Sequence, residues 1–266
     1  MEIQSLKLVC FSPTGTTKKV AQSIAKGINI EKVNLYDITK PEEREKKLEI
    51  IENELLIVAV PVYMGRVPAL INNYLNNIKA TITPTVCVVV YGNRTFGNAL
   101  LELKDILTGK NCIPIAGGAF IGEHSFSSTE LPIAESRPKV DDLEYAINFG
   151  KKIKEKLGSV SNIDEINDIK IPGNYPYGGV TELWSVDFIT ISNKCTKKGI
   201  CAEVCPTGAI DKEDTSIIDK EKCISCCACI KNCPENARKI KESKVKEAAI
   251  RLNSLFQEQK TPEIFF

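Results

Sequence analysis

Eight of the chain's eleven cysteines lie between Cys195 and Cys233, in two runs that each close on Cys-Pro. The second run, Cys223-Ile-Ser-Cys226-Cys227-Ala-Cys229-Ile-Lys-Asn-Cys233-Pro234, contains the spacing C-x2-C-x2-C-x3-C-P. The first, Cys195-Thr-Lys-Lys198-Gly-Ile-Cys201-Ala-Glu-Val-Cys205-Pro206, keeps the same frame with Lys198 where the second cysteine would stand. A cubane iron–sulfur cluster needs thiolates converging from a tight loop plus one from a distant segment, so the fourth cysteine of each run serves the other cluster. The chemistry this implies is one-electron transfer. Zinc ribbons also use C-x2-C pairs, but three-residue spacings followed by proline, and four frame cysteines packed between Cys223 and Cys233, suit tetrahedral zinc poorly.

A different chemistry is expected near the N-terminus. An apolar run over 6–11 leads straight into Ser12-Pro13-Thr14-Gly15-Thr16-Thr17 and then a helical pattern. Hydroxyls, free backbone N–H groups and a helix N-terminus together hold a phosphate. The loop lacks G-x-x-x-x-G-K-[ST], so it is no P-loop. No arginine closes it after Cys10, so a phosphatase nucleophile is not indicated and Cys10 reads as a buried strand thiol. Alone, residues 12–17 could equally be a hydroxyl-rich helix cap. Two further loops change that reading: Pro61-Val62-Tyr63-Met64-Gly65-Arg66-Val67-Pro68 and Tyr91-Gly92-Asn93-Arg94-Thr95-Phe96-Gly97. Both follow apolar runs, and both supply glycines for close backbone approach and aromatics for a planar ring. The set suits FMN, with the phosphate in the first loop and the isoalloxazine between the second and third. Arg66 and Arg94 would then edge the ring, where positive charge favours the anionic reduced form; the alternative is that both are solvated or paired.

The elements that must position these groups follow from periodicity. Residues 6–11, 32–38, 55–62, 86–91 and 112–120 read as strands, the third and fourth as apolar β-branched runs typical of parallel strands covered on both faces. Helical patterns cover 17–28, 69–78, 98–107 and 141–157. Alternating strands and helices predict an α/β, doubly wound, parallel five-stranded sheet, with short right-handed crossovers favouring the order 2-1-3-4-5. That order brings all three loops to the carboxyl edge, where ligands bind. The pattern breaks over 159–185, a turn-rich connector that includes Pro172-Gly-Asn-Tyr-Pro-Tyr-Gly-Gly179. The expected organisation is an FMN domain over 1–158, a linker over 159–185, a small α+β cysteine module over 186–240 and a C-terminal helix and tail over 241–266. Within it, 186–191 reads as a lead-in strand and 242–259 as an amphipathic helix, and the apolar tail is expected to dock on one of the domains.

Residues 8–20, 55–68 and 88–104 resemble the flavodoxin domain of the bacterial family of fused flavodoxin–ferredoxin proteins. So do Gly118-Ala-Phe-Ile-Gly-Glu-His124-Ser125, residues 131–138 and Pro262-Glu-Ile-Phe-Phe266, so the resemblance spans nearly the whole chain. It implies a flavodoxin-like FMN domain joined to a two-cluster bacterial-type ferredoxin domain, without a defined substrate. Carried over position by position, one [4Fe–4S] cluster takes Cys205, Cys223, Cys226 and Cys229. The other takes Cys195, Cys201 and Cys233, with Lys198 at the missing corner, as a [4Fe–4S] or [3Fe–4S] cluster. Lysine is a poor ligand because its amine, with an ordinary pKa of about 10.4, is protonated at neutral pH. Cys227 reads as a packed thiol, Cys87 and Cys112 as core, and His124, the single histidine, as a polar loop residue.

Bulk properties set the outer limits. The chain has 266 residues, 43% hydrophobic and 26% charged, with a net charge of +1. That length and composition suit two soluble domains, and near-zero charge gives no reason to expect nucleic acid or membrane as partner. No basic leader with a long apolar stretch opens the chain, and cluster thiols must stay reduced, so a cytoplasmic location is expected. Two functions share these motifs: an electron-transfer protein passing electrons between FMN and iron–sulfur clusters and a redox partner protein, or a flavin-dependent reductase of a small-molecule acceptor fed by the clusters. A redox sensor or scaffold is the third reading. No G-x-G-x-x-G follows a strand, which disfavours direct nicotinamide dinucleotide oxidation.

Overall fold

A computed structural model describes residues 1–179 and 185–266. The first domain runs β1 (Ser5–Cys10), α1 (Thr16–Ile28), β2 (Lys32–Asp37), β3 (Glu54–Pro61), α2 (Asn72–Asn76), β4 (Thr83–Tyr91), α3 (Ala99–Thr108), β5 (Cys112–Ile121) and α4 (Val140–Gly158). Its strands pair in parallel in the order 2-1-3-4-5, which is the flavodoxin-like arrangement. Alternate residues of each central strand enter opposite layers: Leu55, Ile57 and Ala59 face the α1/α4 side, and Leu56, Val58 and Val60 face the α2/α3 side. Both faces of the sheet are therefore dry, as a parallel sheet requires. Cys87 and Cys112 sit in the second layer and Cys10 is fully buried; burial pushes the Cys10 and Cys87 thiols well above their ordinary range, so all three are packing residues.

The cysteine module contains β6 (Ile189–Ile191), α5 (Ile200–Glu203), α6 (Ala228–Lys231), β7 (Arg238–Ile240) and α7 (Lys244–Leu255). Its two cysteine runs are copies offset by 28 residues, Cys195 to Cys223 and Cys205 to Cys233. The backbone repeats with them. Lys197, Gly199 and Gly208 have φ of 55°, 78° and 64°, and their counterparts Ser225, Cys227 and Asn236 have 53°, 58° and 49°.

Four expectations are corrected. The sheet has six strands, because β8 (Glu263–Phe265) adds antiparallel to the free edge of β5, so the tail docks on the first domain. The helix expected over 69–78 is a short 3-10 turn followed by α2; the asparagines at 72, 73, 76 and 77 compete with the backbone for hydrogen bonds and shorten it. The lead-in strand shrinks to β6, since its partner β7 offers only three residues. The helix expected over 242–259 is Lys244–Leu255, started by the Ser243 hydroxyl accepting from the Lys246 N–H.

The two units are fastened together. Ile224 of the cysteine module packs against the α2/α3 core layer, and Phe126 of the first domain packs against the module's own core. Arg44 Nη2 donates to the Pro206 carbonyl (2.6 Å), Lys231 Nζ to the Ser127 carbonyl (2.7 Å) and Asn253 Nδ2 to the Pro132 carbonyl (2.7 Å). The connector lies on α3: the Asn174 N–H donates to Asn98 Oδ1 and the Tyr177 hydroxyl to Asp105. His124 belongs to this seam. Its ring lies against Gly92 and edge-on to Phe126, and its Nδ1 accepts the Phe126 N–H at 3.0 Å. Burial, with Lys231 and Arg94 nearby, lowers its pKa from 6.5 to about 4.

Two expectations follow. A Cβ on Gly150 would lie 2.2 Å from the Ile24 carbonyl and one on Gly27 1.9 Å from the Ile147 carbonyl, because α1 and α4 touch backbone to backbone there. Gly150→Ala should destabilise the first domain by about 2 kcal/mol, read as a lowered urea midpoint. For His124, the unfolded chain takes up its proton near pH 6.5 and the folded chain only near 4. Stability is thus complete above pH 6.5 and falls by on the order of 3 kcal/mol as pH drops toward 4. His124→Asn, which keeps an acceptor for the Phe126 N–H, should flatten that slope in urea titrations; an unchanged slope would show that other groups carry it.

Candidate functional site

The phosphate loop is built as a cradle. The Ser12 N–H donates to Thr39 Oγ1, and the Ser12 hydroxyl accepts from the Lys18 N–H (3.0 Å), so the loop is braced from below and its strand-to-helix bend is held. Thr14 Oγ1 and Thr16 Oγ1 lie 3.2 Å apart. Among the described residues, the N–H groups of Thr14, Thr16 and Thr17 meet no protein acceptor. Three unanswered donors at the start of a 13-residue helix, beside two hydroxyls, fit an anion. The loop holds no basic residue of its own, and the nearest, Lys18, pairs with Asp37 at 3.0 Å. Selection would therefore rest on hydrogen bonds and the helix terminus rather than on a counter-ion.

The second loop is a tight turn closed by two bonds between Tyr63 and Arg66, with Met64 at φ 51° and Gly65 at φ 80°. Positive φ at both central positions is a type I′ geometry, which costs strain at a methionine. Gly97 of the third loop approaches so closely that a Cβ there would lie 2.8 Å from Gly65 Cα. Loops two and three thus touch through glycine backbone, beside the first, at the carboxyl ends of β1, β3 and β4, as the sequence predicts. Pro61 ends β3, Val62 pairs with the Val90 carbonyl, and Gly92 and Arg94 form the bend beyond β4.

Not all the predicted residues offer a free side chain. Tyr91 and Phe96 are buried against each other, 5.8 Å between centroids, beneath the loops. Asn93 is 3% exposed and fastens the C-terminal segment: its Nδ2 donates to the Phe256 and Glu258 carbonyls, and its Oδ1 accepts from the Lys260 N–H. Arg66 is matched by a bidentate pair with Glu102 and lies 5.0 Å from the Tyr177 centroid, so its charge is not free to act on a ring. Arg94 stands beside Phe256 instead. Tyr63 alone of the loop aromatics is turned toward the cysteine module. Burial, with the Cys226 and Cys227 thiols beside it, pushes its phenol well above the ordinary range.

Cys205, Cys223, Cys226 and Cys229 line one small apolar cavity with Phe188 and Ile210. Cys223 and Cys226 come from the loop before α6, Cys229 from α6 itself and Cys205 from the far end of the other run, as the ligand frame demands. Burial pushes Cys226 up and Cys229 to about 12, so neither thiol ionises alone at neutral pH; iron coordination deprotonates a thiol outright. The Ala209 N–H donates to Cys205 Sγ and, one repeat on, the Ala237 N–H to Cys233 Sγ, each at 3.3 Å. Such bonds stabilise thiolate charge. Ser225 Oγ, in the loop of this cage, is buried without any partner, which fits a cage meant to enclose something with acceptor atoms; Arg238 Nη1, at the start of β7, is likewise buried and unpartnered.

Cys195, Cys201 and Cys233 are half-buried, and Lys198 points outward to Glu235 at 2.7 Å. That bond holds the ammonium charged and above its ordinary range, a form with no lone pair to offer iron. Cys227 is 2% exposed, its Sγ faces the Ser225 carbonyl at 3.7 Å, and it lines the same cavity as Cys226 and Cys229. Arg238, Glu102 and Thr39 were not foreseen. Laying one run over the other would have exposed Arg238, whose counterpart is Ile210.

Residues 216–239 match the family model of the 4Fe–4S binding domain. No curated protein matches the chain. Among solved structures, it is similar to a flavodoxin from the domain Archaea (16% identity over 58% of this chain and 99% of that one, TM-score 0.39). It is also similar to a flavodoxin of Streptococcus pneumonia (15%, 57% and 99%, TM-score 0.40) and to an NADH:FMN oxidoreductase in its apo form (14%, 62% and 95%, TM-score 0.40). Among the described residues no helix is long and apolar enough to cross a membrane. The strand order of the first domain and the domain match in the second together give this chain its architecture, a flavodoxin-like domain fused to a 4Fe–4S ferredoxin domain.

Proposed function

We propose that the protein is an electron-transfer flavo-iron–sulfur protein that exchanges electrons between FMN and iron–sulfur clusters on behalf of an external redox partner. One observation carries the reading: Tyr63, half-buried in the second ligand loop, lines one cavity with Cys223 and Ile224 of the cluster loop and packs with Ile224 on the same core layer. The two candidate sites share a wall. FMN would supply the exchange between two-electron and one-electron chemistry. Thr14, Thr16 and Thr17 would bind its phosphate through their amides, and the Gly65–Gly97 contact would set the approach of the ring to backbone. Cys205, Cys223, Cys226 and Cys229 would hold a [4Fe–4S] cluster, and Ile224, Phe126 and the C-terminal strand would keep it beside the flavin loops without a swinging domain.

The second reading, a reductase of a small organic acceptor, is favoured by a cavity of about 220 Å³ between the units. Tyr63, Leu70, Lys220 and Cys223 line it. Ligand pockets for drug-sized molecules begin at roughly 300 Å³, so the space suits a compact acceptor and not a dinucleotide.

Protein purified without air should contain FMN, iron and acid-labile sulfide, and reduction of the clusters should bleach the flavin in a concentration-independent step. Zinc in place of iron, or brown protein that retains no FMN, would sink the proposal. Turnover with one of a panel of small acceptors would move the weight to the reductase reading. Thr14→Asp sets a carboxylate in the cradle and should weaken FMN by roughly ten- to a hundredfold through like-charge repulsion, about 1.4–2.8 kcal/mol. Riboflavin, which lacks the phosphate, should bind the variant nearly as well as the parent. Equal losses for both flavins would mean that the loop does not contact phosphate.

A further inference from the structure

The cysteine module contains an unexplained buried charge. Arg238 opens β7 and is 2% exposed. Its Nη2 donates to the Thr215 carbonyl, and its Nη1 is buried with no partner at all. The arginines with carboxylate partners in the described residues are Arg66 and Arg137; Arg238 has none. A guanidinium removed from water without an anion costs several kcal/mol, at about the scale of the whole domain's stability.

The internal repeat shows where that charge points. The counterpart of Arg238 one repeat earlier is Ile210, which is 4% exposed and lines the cavity of Cys205, Cys223, Cys226 and Cys229. By the 28-residue repeat, the matching wall in the other copy is the one that would face Cys195, Cys201 and Cys233. The fold therefore asks only for an apolar residue at this place, and the arginine is an addition. The three-cysteine loop also keeps the left-handed residues of a complete cluster loop, at Lys197 and Gly199, although its second cysteine is gone. Lys198 does not supply the buried cation, because it faces Glu235 at the surface.

We propose that the three-cysteine cage holds an iron–sulfur cluster and that Arg238 is its buried counter-charge, with the free Nη1–H donating to the anionic cluster. One electron arriving from an external carrier adds one negative charge beside a fixed positive one, so the arginine favours the reduced form and raises the potential of that cluster. The two cages then differ in potential, and the difference gives electron flow a direction. The inference rests on the iron–sulfur half of the proposed function and is independent of the flavin.

The test uses the full-length chain reconstituted without air, assayed for iron and acid-labile sulfide and titrated with dithionite under EPR. Wild type should carry more iron than one cluster accounts for and show two midpoints. Arg238→Ile, which copies Ile210, should lower one midpoint well beyond any change in the other, while Arg238→Lys should stay near wild type. Loss of the second cluster's iron from Arg238→Ile but not from Arg238→Lys supports the same role, because lysine restores the charge alone. Iron for a single cluster in wild type, unmoved midpoints in Arg238→Ile, or equal iron loss in both variants overturns it. Failure to retain FMN with both clusters intact would touch only the function proposed above.

Discussion

Thiols that must be buried to form a cage and ionised to bind iron place the governing constraint on this molecule. Burial pushes Cys226, Cys227 and Cys229 upward, so the protein alone cannot hold the cage as thiolates at neutral pH. The module around them is small, with two three-residue strands and a handful of buried apolar side chains. A core of that size does not stabilise a domain without staples or metal. Iron and sulfide would therefore act as the module's missing core, and its folding and its electron chemistry would depend on the same bonds.

The remaining support comes from the first domain. Ile224 reaches into the α2/α3 layer, Phe126 reaches back, and the tail returns to pair with β5 as β8. The tail is held again through Asn93, which takes hydrogen bonds to and from three positions between Phe256 and Lys260. Asn93 belongs to the third of the candidate loops, so a side chain of that loop also ties down the segment over 256–260. Docking and site geometry are thus one problem. This is why a residue such as His124, polar and alone, is packed against Gly92 at the seam instead of titrating freely at the surface.

The parallel sheet was legible because burial on both faces leaves apolar β-branched runs over 55–62 and 86–91 that little else produces. The cysteine frame was legible because cluster geometry dictates spacing. What stayed hidden was pairing at a distance. Arg66 reads as a free charge in its loop, and only the fold brings Glu102 against it. Tyr91 and Phe96 read as ring platforms, yet they lie under the loops in the core. The sixth strand could not be foreseen as a strand, since the three residues Glu263–Phe265 carry no period. The short α2 follows from asparagines whose side chains contest the helix, a competition that hydrophobic spacing does not register.

The duplicated module offers a comparison within one chain, because each half shows what the shared backbone requires of the other. Where the halves agree, as in the Cys-Pro-x-x-Ala ends whose alanine N–H donates to a thiol 3.3 Å away, the feature serves the fold of the cage. Where they differ, the backbone cannot be the reason. Lys198 against Cys226, Gly199 against Cys227 and Arg238 against Ile210 are three such differences on one scaffold. The glycine-to-cysteine change places a non-glycine residue at φ 58°, so it carries a steric cost that the other half avoids. The lysine stands in the run that has lost a thiolate, and the place proposed for the arginine would bring its charge to the same cage. A cage with fewer anionic ligands and more cations around it sits at a different electrostatic level from its twin, and that inequality is a physical prerequisite for passing electrons one way along an otherwise symmetric pair.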